Sequence, residues 1–212
     1  MKTRERILLT SLELFNTEGE ANVSTVDIAN EMDISPGNLY YHFKGKQEII
    51  GELFNRLESQ LIDILEAPLE KSIKTEDAWI YLYVVFEQIC NHRYFYRSIS
   101  DLLQRYPDIE KRFRRLVALK IRTAEAVARE LVDHEVLKMD ARQVSWLANN
   151  VAMQLTFWLN FDNLLSKNTP DPLAIHQGVF QIVSLAAPYL SPQHRYVYDE
   201  CSSLYEHLIA DL

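Results

Sequence analysis

Almost throughout this 212-residue chain the apolar residues recur every three to four positions, and no Val/Ile/Thr-rich run alternates with period two. A 3.6-residue period paints one apolar stripe on a helix, whereas a half-buried strand needs strict alternation, so the pattern predicts an all-α protein. Ile7, Leu8, Leu12 and Phe15 share a face, and Gly19 ends their helix. Ser24 with Asp27 reads as a capping box, Asp replacing the usual Glu, at the head of a short helix that turns Ile28, Ala29 and Met32 inward. Asp33-Ile34 makes a turn. Ser35 caps a third, brief helix, with Pro36 at its first position where the missing N–H costs nothing. Lys44-Gly45-Lys46 breaks it near Tyr41, and a long helix from about Gln47 carries Ile49, Ile50, Leu53, Phe54, Leu57, Leu61 and Leu65 to a stop around Pro68.

A larger helical body follows. The pattern predicts a helix from Thr75 or Asp77, another over His92–Arg105, and a long basic one from Pro107 to about Val136. Asp140 caps the next, to Leu165, and residues 166–172 form a surface connector. Two more helices span about Pro172–Tyr189 and Gln193–Ala210, for about ten in all. The expected division is residues 1–46 and residues 47–212. Hydrophobic residues make up 48% with only 5 Gly and 7 Pro, which excludes a disordered chain. The most apolar windows are too short to span a bilayer and the start does not read as a signal peptide, so a cytoplasmic protein without a membrane partner is expected. Cys90 and Cys201 suit reduced thiols rather than a disulfide scaffold or a paired-cysteine zinc site.

Two short helices joined by about four residues and braced by a longer helix on each side can project the second short helix into a DNA groove. With 22 basic and 30 acidic residues the net charge is −8, which excludes a polybasic coat for nucleic acid. A reader of one defined site remains open. Residues 35–47 contain Lys44, Lys46 and His42 and no acid, and Met1–Arg6 adds three cations for one acid. The unit thus offers a local cationic face on an anionic chain.

The run Ile28-Ala29-Asn30-Glu31-Met32-Asp33-Ile34-Ser35-Pro36-Gly37-Asn38-Leu39-Tyr40-Tyr41-His42-Phe43-Lys44-Gly45-Lys46-Gln47-Glu48-Ile49-Ile50 closely resembles the helix-turn-helix of the TetR/AcrR family of transcriptional regulators. Asp33 departs from the family's usual turn glycine, and Asn38 replaces the common Thr or Ser. Asp tolerates a left-handed backbone second best after Gly, so the turn survives. The resemblance implies an amino-terminal three-helix helix-turn-helix DNA-binding domain plus a larger carboxy-terminal helical domain for ligand binding and dimerisation. It further implies a homodimer on a palindromic double-stranded operator, with repression as the expected mode, altered by a small molecule. Carried over by position, Thr25, Asn38, Tyr40 and Lys46 match phosphate contacts. Ser35, Pro36, Gly37, Tyr41 and His42 match positions presented to base edges or groove walls. Lys46 has its own physical case, since a lysine opening a helix opposes the helix dipole and wants an anion. Leu39 and Phe43 read as packing residues. The start of the chain, through Ser24, is also similar to the polyhydroxyalkanoate-synthesis regulators within that family, which implies a bacterial source and a fatty acyl or acyl-coenzyme A effector.

The body itself is rich in rings, which line pockets as readily as they fill cores. Candidate ligand residues are Tyr83, Phe86, Phe95, Phe113, Trp146, Met153 and Phe157, with the amides Asn150 and Gln154 among them and Arg122 for an anionic head. Residues 105–122 hold seven cations and two acids. Such a run reads either as a solvated face paired with neighbouring acids or as the mouth for a ligand's phosphate. Gly178, Val179, Ile182, Val183 and Ala186 form a smooth stripe suited to a dimer interface built from the helices around 141–165 and 172–189.

Two other function classes compete with this reading. The six histidines are scattered, and no nucleophile elbow, phosphate loop or metal motif appears, so no catalytic residue, metal or cofactor is expected. A helical ligand-binding or interaction protein without DNA binding is the remaining alternative, and a helical enzyme the least favoured.

Overall fold

A computed structural model of the chain describes residues 2–71, 77–165 and 171–210. Its amino-terminal third comprises α1 (Thr3–Glu18), α2 (Thr25–Glu31) and α3 (Pro36–His42), followed by the long α4 (Lys46–Glu70). Local chemistry sets every boundary here. Gly19 adopts φ 86° and releases α1 into a 3-10 turn over Glu20–Asn22. The Ser24 hydroxyl accepts from the Asp27 amide while the Asp27 carboxylate accepts from the Ser24 amide, so the capping box forms with the shorter acid. Asp33 takes φ 53°, the left-handed turn expected of it. Ser35 accepts from the Asn38 amide, with Pro36 in the first turn.

The body comprises α5 (Ala78–Asn91), α6 (Arg93–Arg97), α7 (Ile99–Arg105), α8 (Pro107–Asp133), α9 (Ala141–Leu165), α10 (Asp171–Ala186) and α11 (Arg195–Ala210). The stretch expected as one helix over 92–105 divides at Ser98, whose φ −118° and ψ 24° leave the helical range. α8 stops at Asp133, short of Val136, because Glu135 turns left-handed at φ 59°. Asp140 caps α9 by accepting from the Arg142 and Gln143 amides. Most of the 166–172 connector and the Thr75 start lie outside the described residues. Among the described residues there is no strand, only an isolated bridge between Leu137 and Leu190. None of their helices is long and apolar enough to cross a membrane.

One apolar core runs from the small unit into the large one. Ile7, Leu8, Phe15, Ile28, Leu39, Phe43, Ile49 and Ile50 are fully buried around the short helices. Rings then carry the packing across: Phe15 lies 5.4 Å from Tyr94, Phe54 5.3 Å from Phe95, and Phe95 5.4 Å from Phe113. Asn16 on α1 supports this seam by donating to the Asn91 carbonyl and accepting from the Tyr94 amide, two backbone groups stranded where α5 gives way to α6. Pro68 lies inside the last turns of α4 and cannot donate to the Ile64 carbonyl. The Tyr81 hydroxyl donates to that carbonyl instead, at 3.3 Å, and the Thr123 hydroxyl holds the neighbouring Leu65 carbonyl at 2.7 Å.

α10 is packed from several sides, by α5, α9 and α11. The Trp158 indole donates to the Ala174 carbonyl, and Ala174, Ile175, Val179 and Ile182 are buried. Gly178 is required by that packing. A Cβ there would stand 2.8 Å from the Phe86 ring and 2.9 Å from Trp158. Gly178→Ala is therefore expected to lower unfolding stability by about 1–3 kcal/mol through overpacking, despite alanine's better helix propensity. Chemical denaturation checks this, and unchanged stability would mean that the rings move aside freely.

Candidate functional site

The short helix α3 stands out from the surface on two fully buried side chains, Leu39 and Phe43. Around them Ser35, Pro36, Gly37 and Asn38 are exposed at its start, Tyr40 is half-exposed and Tyr41 is 85% exposed. His42 is partly buried, its ring nearly perpendicular to that of Tyr41 at 5.1 Å. The Thr25 and Tyr40 hydroxyls meet at 3.1 Å, so this pair braces α2 against α3 while both remain at the surface. Eight of the nine expected DNA contacts thus share one outward region. Lys46 lines the same surface depression as Thr25 and Tyr40, but its ammonium is engaged within the chain. Its ammonium donates to the Glu20 carbonyl at 2.8 Å and the Val23 carbonyl at 2.9 Å, and pairs with the Glu20 carboxylate at 3.0 Å. Three donors meet three acceptors of the same chain. The anion that a lysine at a helix start requires is internal. Lys44, from the acid-free run 35–47, is an exposed cation in the same depression as Thr25 and Tyr40.

An apolar cavity of about 150 Å³, open in part to solvent, lies between α4, α5, α8, α9 and α10. None of the ten expected ligand residues lines it. Phe86, Phe95 and Phe113 are buried in the core, the last two within the ring seam, and Tyr83 packs against His176. Trp146, Met153 and Phe157 are about half-exposed or more, Asn150 is exposed and Gln154 partly so. Conversely, Ile182, Val183 and Ala186, expected at a dimer interface, line the cavity, and Val179 packs beside them. The physical reason is that α9 is apolar on both faces. Leu147, Val151 and Leu155 point into the cavity, while Trp146, Met153, Phe157, Phe161 and Leu164 make an exposed stripe on the other side. Hydrophobic periodicity alone does not choose between two such faces.

The basic helix takes the plainer of its two readings. Arg112 pairs with Glu58, Arg114 with Glu110 and Arg122 with Glu66. Arg122 is outside the cavity lining and is no head-group site in this arrangement. Lys120 is the exception, being buried at the cavity wall.

The family model described as bacterial regulatory proteins, tetR family, matches residues 7–53, and the TetR model described as bacterial transcriptional repressor matches residues 56–198. The chain belongs to the TetR family. A TetR-family transcriptional regulator from Marinobacter aquaeolei VT8 is 34% identical over 98% of both chains, with a TM-score of 0.85. Among curated relatives, QacR of Staphylococcus aureus is 31% identical over 52% of this chain and 57% of its own length. AcrR of Shigella flexneri is 33% identical over 60 residues, 28% of each chain. The matched segments therefore span under two thirds of these curated relatives. This chain is a DNA-binding transcriptional regulator of the family, and its relatives are regulators rather than enzymes.

In this TetR-family protein the junction between reader and body is built on Glu20, whose side chain is fully buried. Lys46 holds it from α4, and the Arg105 guanidinium holds it from the end of α7 with both nitrogens, one at 3.2 Å. Burial on its own would raise the carboxyl's pKa. Hydrogen bonds from Arg105 and Lys46 outweigh that and hold it below the ordinary value near 4.5. A depressed value stabilises the fold above the unfolded pKa, and this contribution is lost as pH falls through the folded one. Glu20→Gln is expected to cost about 3 kcal/mol at pH 7, the magnitude for breaking a buried pair. The gap to the parent protein should narrow steadily below about pH 4.5. Lys46→Ala should likewise be seen in thermal unfolding. A pH-independent gap would remove the ionised carboxylate from the junction.

Proposed function

We propose that this protein represses transcription by gripping a palindromic operator as a homodimer, and that a small apolar guest in the body cavity alters the grip. The observation that carries the reading is α3 itself: two buried side chains fix a helix whose first turn and two tyrosines are offered outward. In this reading Ser35, Pro36, Gly37, Tyr41 and His42 meet base edges or groove walls, while Thr25, Asn38 and Tyr40 meet phosphates. Lys44 supplies the phosphate cation in place of Lys46. Binding of the parent protein and its variants to a selected operator over a range of salt tests these roles. Lys44→Ala should reduce the salt slope by about 1 and weaken all sequences alike. Tyr41→Ala should instead change the ranking of operator variants. An unchanged slope, or a uniform effect of Tyr41→Ala, would reverse these assignments.

One reader helix covers few base pairs, so two copies about 34–36 Å apart, or a multiple of that, are needed for adequate specificity. The outward stripe of α9 supports a second copy as the occupant of that face. From Trp146 to Leu164 it extends about 27 Å at 1.5 Å per residue, and its members are apolar except for asparagines such as Asn149 and Asn150. Monomeric proteins rarely expose such continuous apolar surface. Met153→Glu is expected to yield a monomer in sedimentation at micromolar concentration, with operator affinity reduced at least tenfold. A dimer that survives this charge would move the interface elsewhere.

The comparisons reach the family and not the polyhydroxyalkanoate branch, and a cavity of about 150 Å³ suits a guest much smaller than a coenzyme A thioester.

A further inference from the structure

We infer that the cavity takes a small aliphatic carboxylate, its head paired with the Lys120 ammonium and its tail laid along α8; this rests on the cavity being the effector site. The first observation is Lys120 itself. Its side chain is fully buried, in a position where lysine is almost never found without an acid partner. Its ammonium donates to the Leu155 carbonyl at 3.0 Å and reaches the Tyr96 and Thr156 hydroxyls only at 3.4 Å. The Tyr96 and Phe113 rings flank it at 5.0 and 5.6 Å. All these partners are neutral. Among the described residues the lining is almost wholly apolar and contains no carboxylate. A buried cation with neutral neighbours lacks a counter-ion, and an entering carboxylate supplies one in a low-dielectric site.

The second observation is the cavity's direction. Lys120, Thr123, Ala124, Val127, Ala128 and Leu131 all line it, at the i, i+3, i+4, i+7, i+8 and i+11 positions of one helix face. They span about 16 Å at 1.5 Å per residue. The charge sits at one end of an apolar groove floored by small side chains, which suits a linear guest. Size sets the upper limit, since a cavity of this volume elsewhere in proteins accepts a benzene-sized molecule, about six carbons. A coenzyme A thioester presents no carboxylate to Lys120, and most of the arginines that would meet its phosphates are paired with acids.

Proton linkage follows from the same geometry. The groups facing the ammonium are the Tyr96 hydroxyl from α6 and the Thr156 hydroxyl and Leu155 carbonyl from α9. Among the described residues around the cavity, α5 brings Tyr81, whose hydroxyl is engaged with the Ile64 carbonyl, and α10 and α4 bring only apolar side chains. Burial pulls the Lys120 ammonium down to about 7 and pushes both tyrosines up, so only the lysine titrates near neutrality. At pH 8 the lysine is largely neutral in the empty protein and charged beside a carboxylate, so binding takes up close to one proton.

Calorimetry on the full-length protein with butanoate, hexanoate, decanoate, hexanamide and hexanoyl-coenzyme A tests the inference, in parallel with operator binding. Hexanoate is expected to bind at least tenfold more tightly than hexanamide, with butanoate and decanoate weaker and the thioester unbound. In two buffers of different ionisation enthalpy at pH 8, hexanoate should take up about one proton and hexanamide none. Lys120→Met should abolish the preference for acid over amide; if that variant does not fold, the proton count in the parent protein decides. Equal binding of acid and amide, no proton uptake, or tightest binding of the thioester would overturn the head-group assignment. Saturable hexanamide binding that shifts operator affinity would then leave the effector cavity standing. Intact operator binding with no ligand of the series bound or acting would overturn the effector reading together with the carboxylate.

Discussion

A single buried carboxylate fixes how reader and body meet. Glu20 stays ionised away from water only because Lys46 and Arg105 approach it from two different helices. Losing either cation leaves a charge with inadequate compensation, so conformations that separate α7 from the reader are costly. Arg56 with Glu5 and Arg4 with Glu52 fasten α1 to α4 along the same side. Asn16 ties α1 to the junction of α5 and α6. The three short helices are consequently held to α4 and to the near end of the body, rather than carried on a loose linker. Specificity for a defined operator spacing needs that stiffness.

α4 inherits the consequences. Its first residue, Lys46, belongs to the reader's ion cluster, and Leu65, about 28 Å further along at 1.5 Å per residue, lines the cavity. The far end of this lever is weakened by Pro68 and repaired by the hydroxyls of Tyr81 and Thr123. Both of those residues also line the cavity. The groups that a guest would press against are the ones that hold the last turns of α4. Coupling between the proposed effector site and the reader then needs no long chain of side chains, only a change in how two hydroxyls seat two carbonyls.

The sequence was most readable where structure is local. Capping residues, a first-turn proline and a turn aspartate act within four residues of themselves, so Ser24, Asp27, Asp33, Ser35 and Pro36 disclosed the reader's helices almost to the residue. The family motif lies in that same stretch. Tertiary partners were less readable. Lys46 asked for an anion, but nothing near it in sequence showed that Glu20, 26 positions earlier, would answer. On α9 two apolar faces compete, and the amphipathic signal that normally phases a helix is lost when both sides carry large side chains. Gly178 and the stripe through Ala186 read as a dimer face, but the neighbours of Gly178 are Phe86 and Trp158 of the same chain. Lys120 was hidden by its neighbourhood, since a lysine among seven cations reads as solvated surface until burial is known.

Small movements suffice for a regulator built in this way. A guest shifts operator binding only by its unequal affinity for two conformations, so tight binding alone achieves nothing. A tilt of α4 by about 5° about its cavity end would carry the reader about 2.4 Å over a lever of about 28 Å. In a two-fold dimer the partner reader moves oppositely, and their separation changes by about 5 Å. That exceeds the 3.4 Å rise of one base pair. Both readers then cannot keep their registers, although each still fits a half-site by itself. The Glu20 cluster makes this sensitivity possible, because a reader fastened to α4 has no slack with which to absorb the tilt.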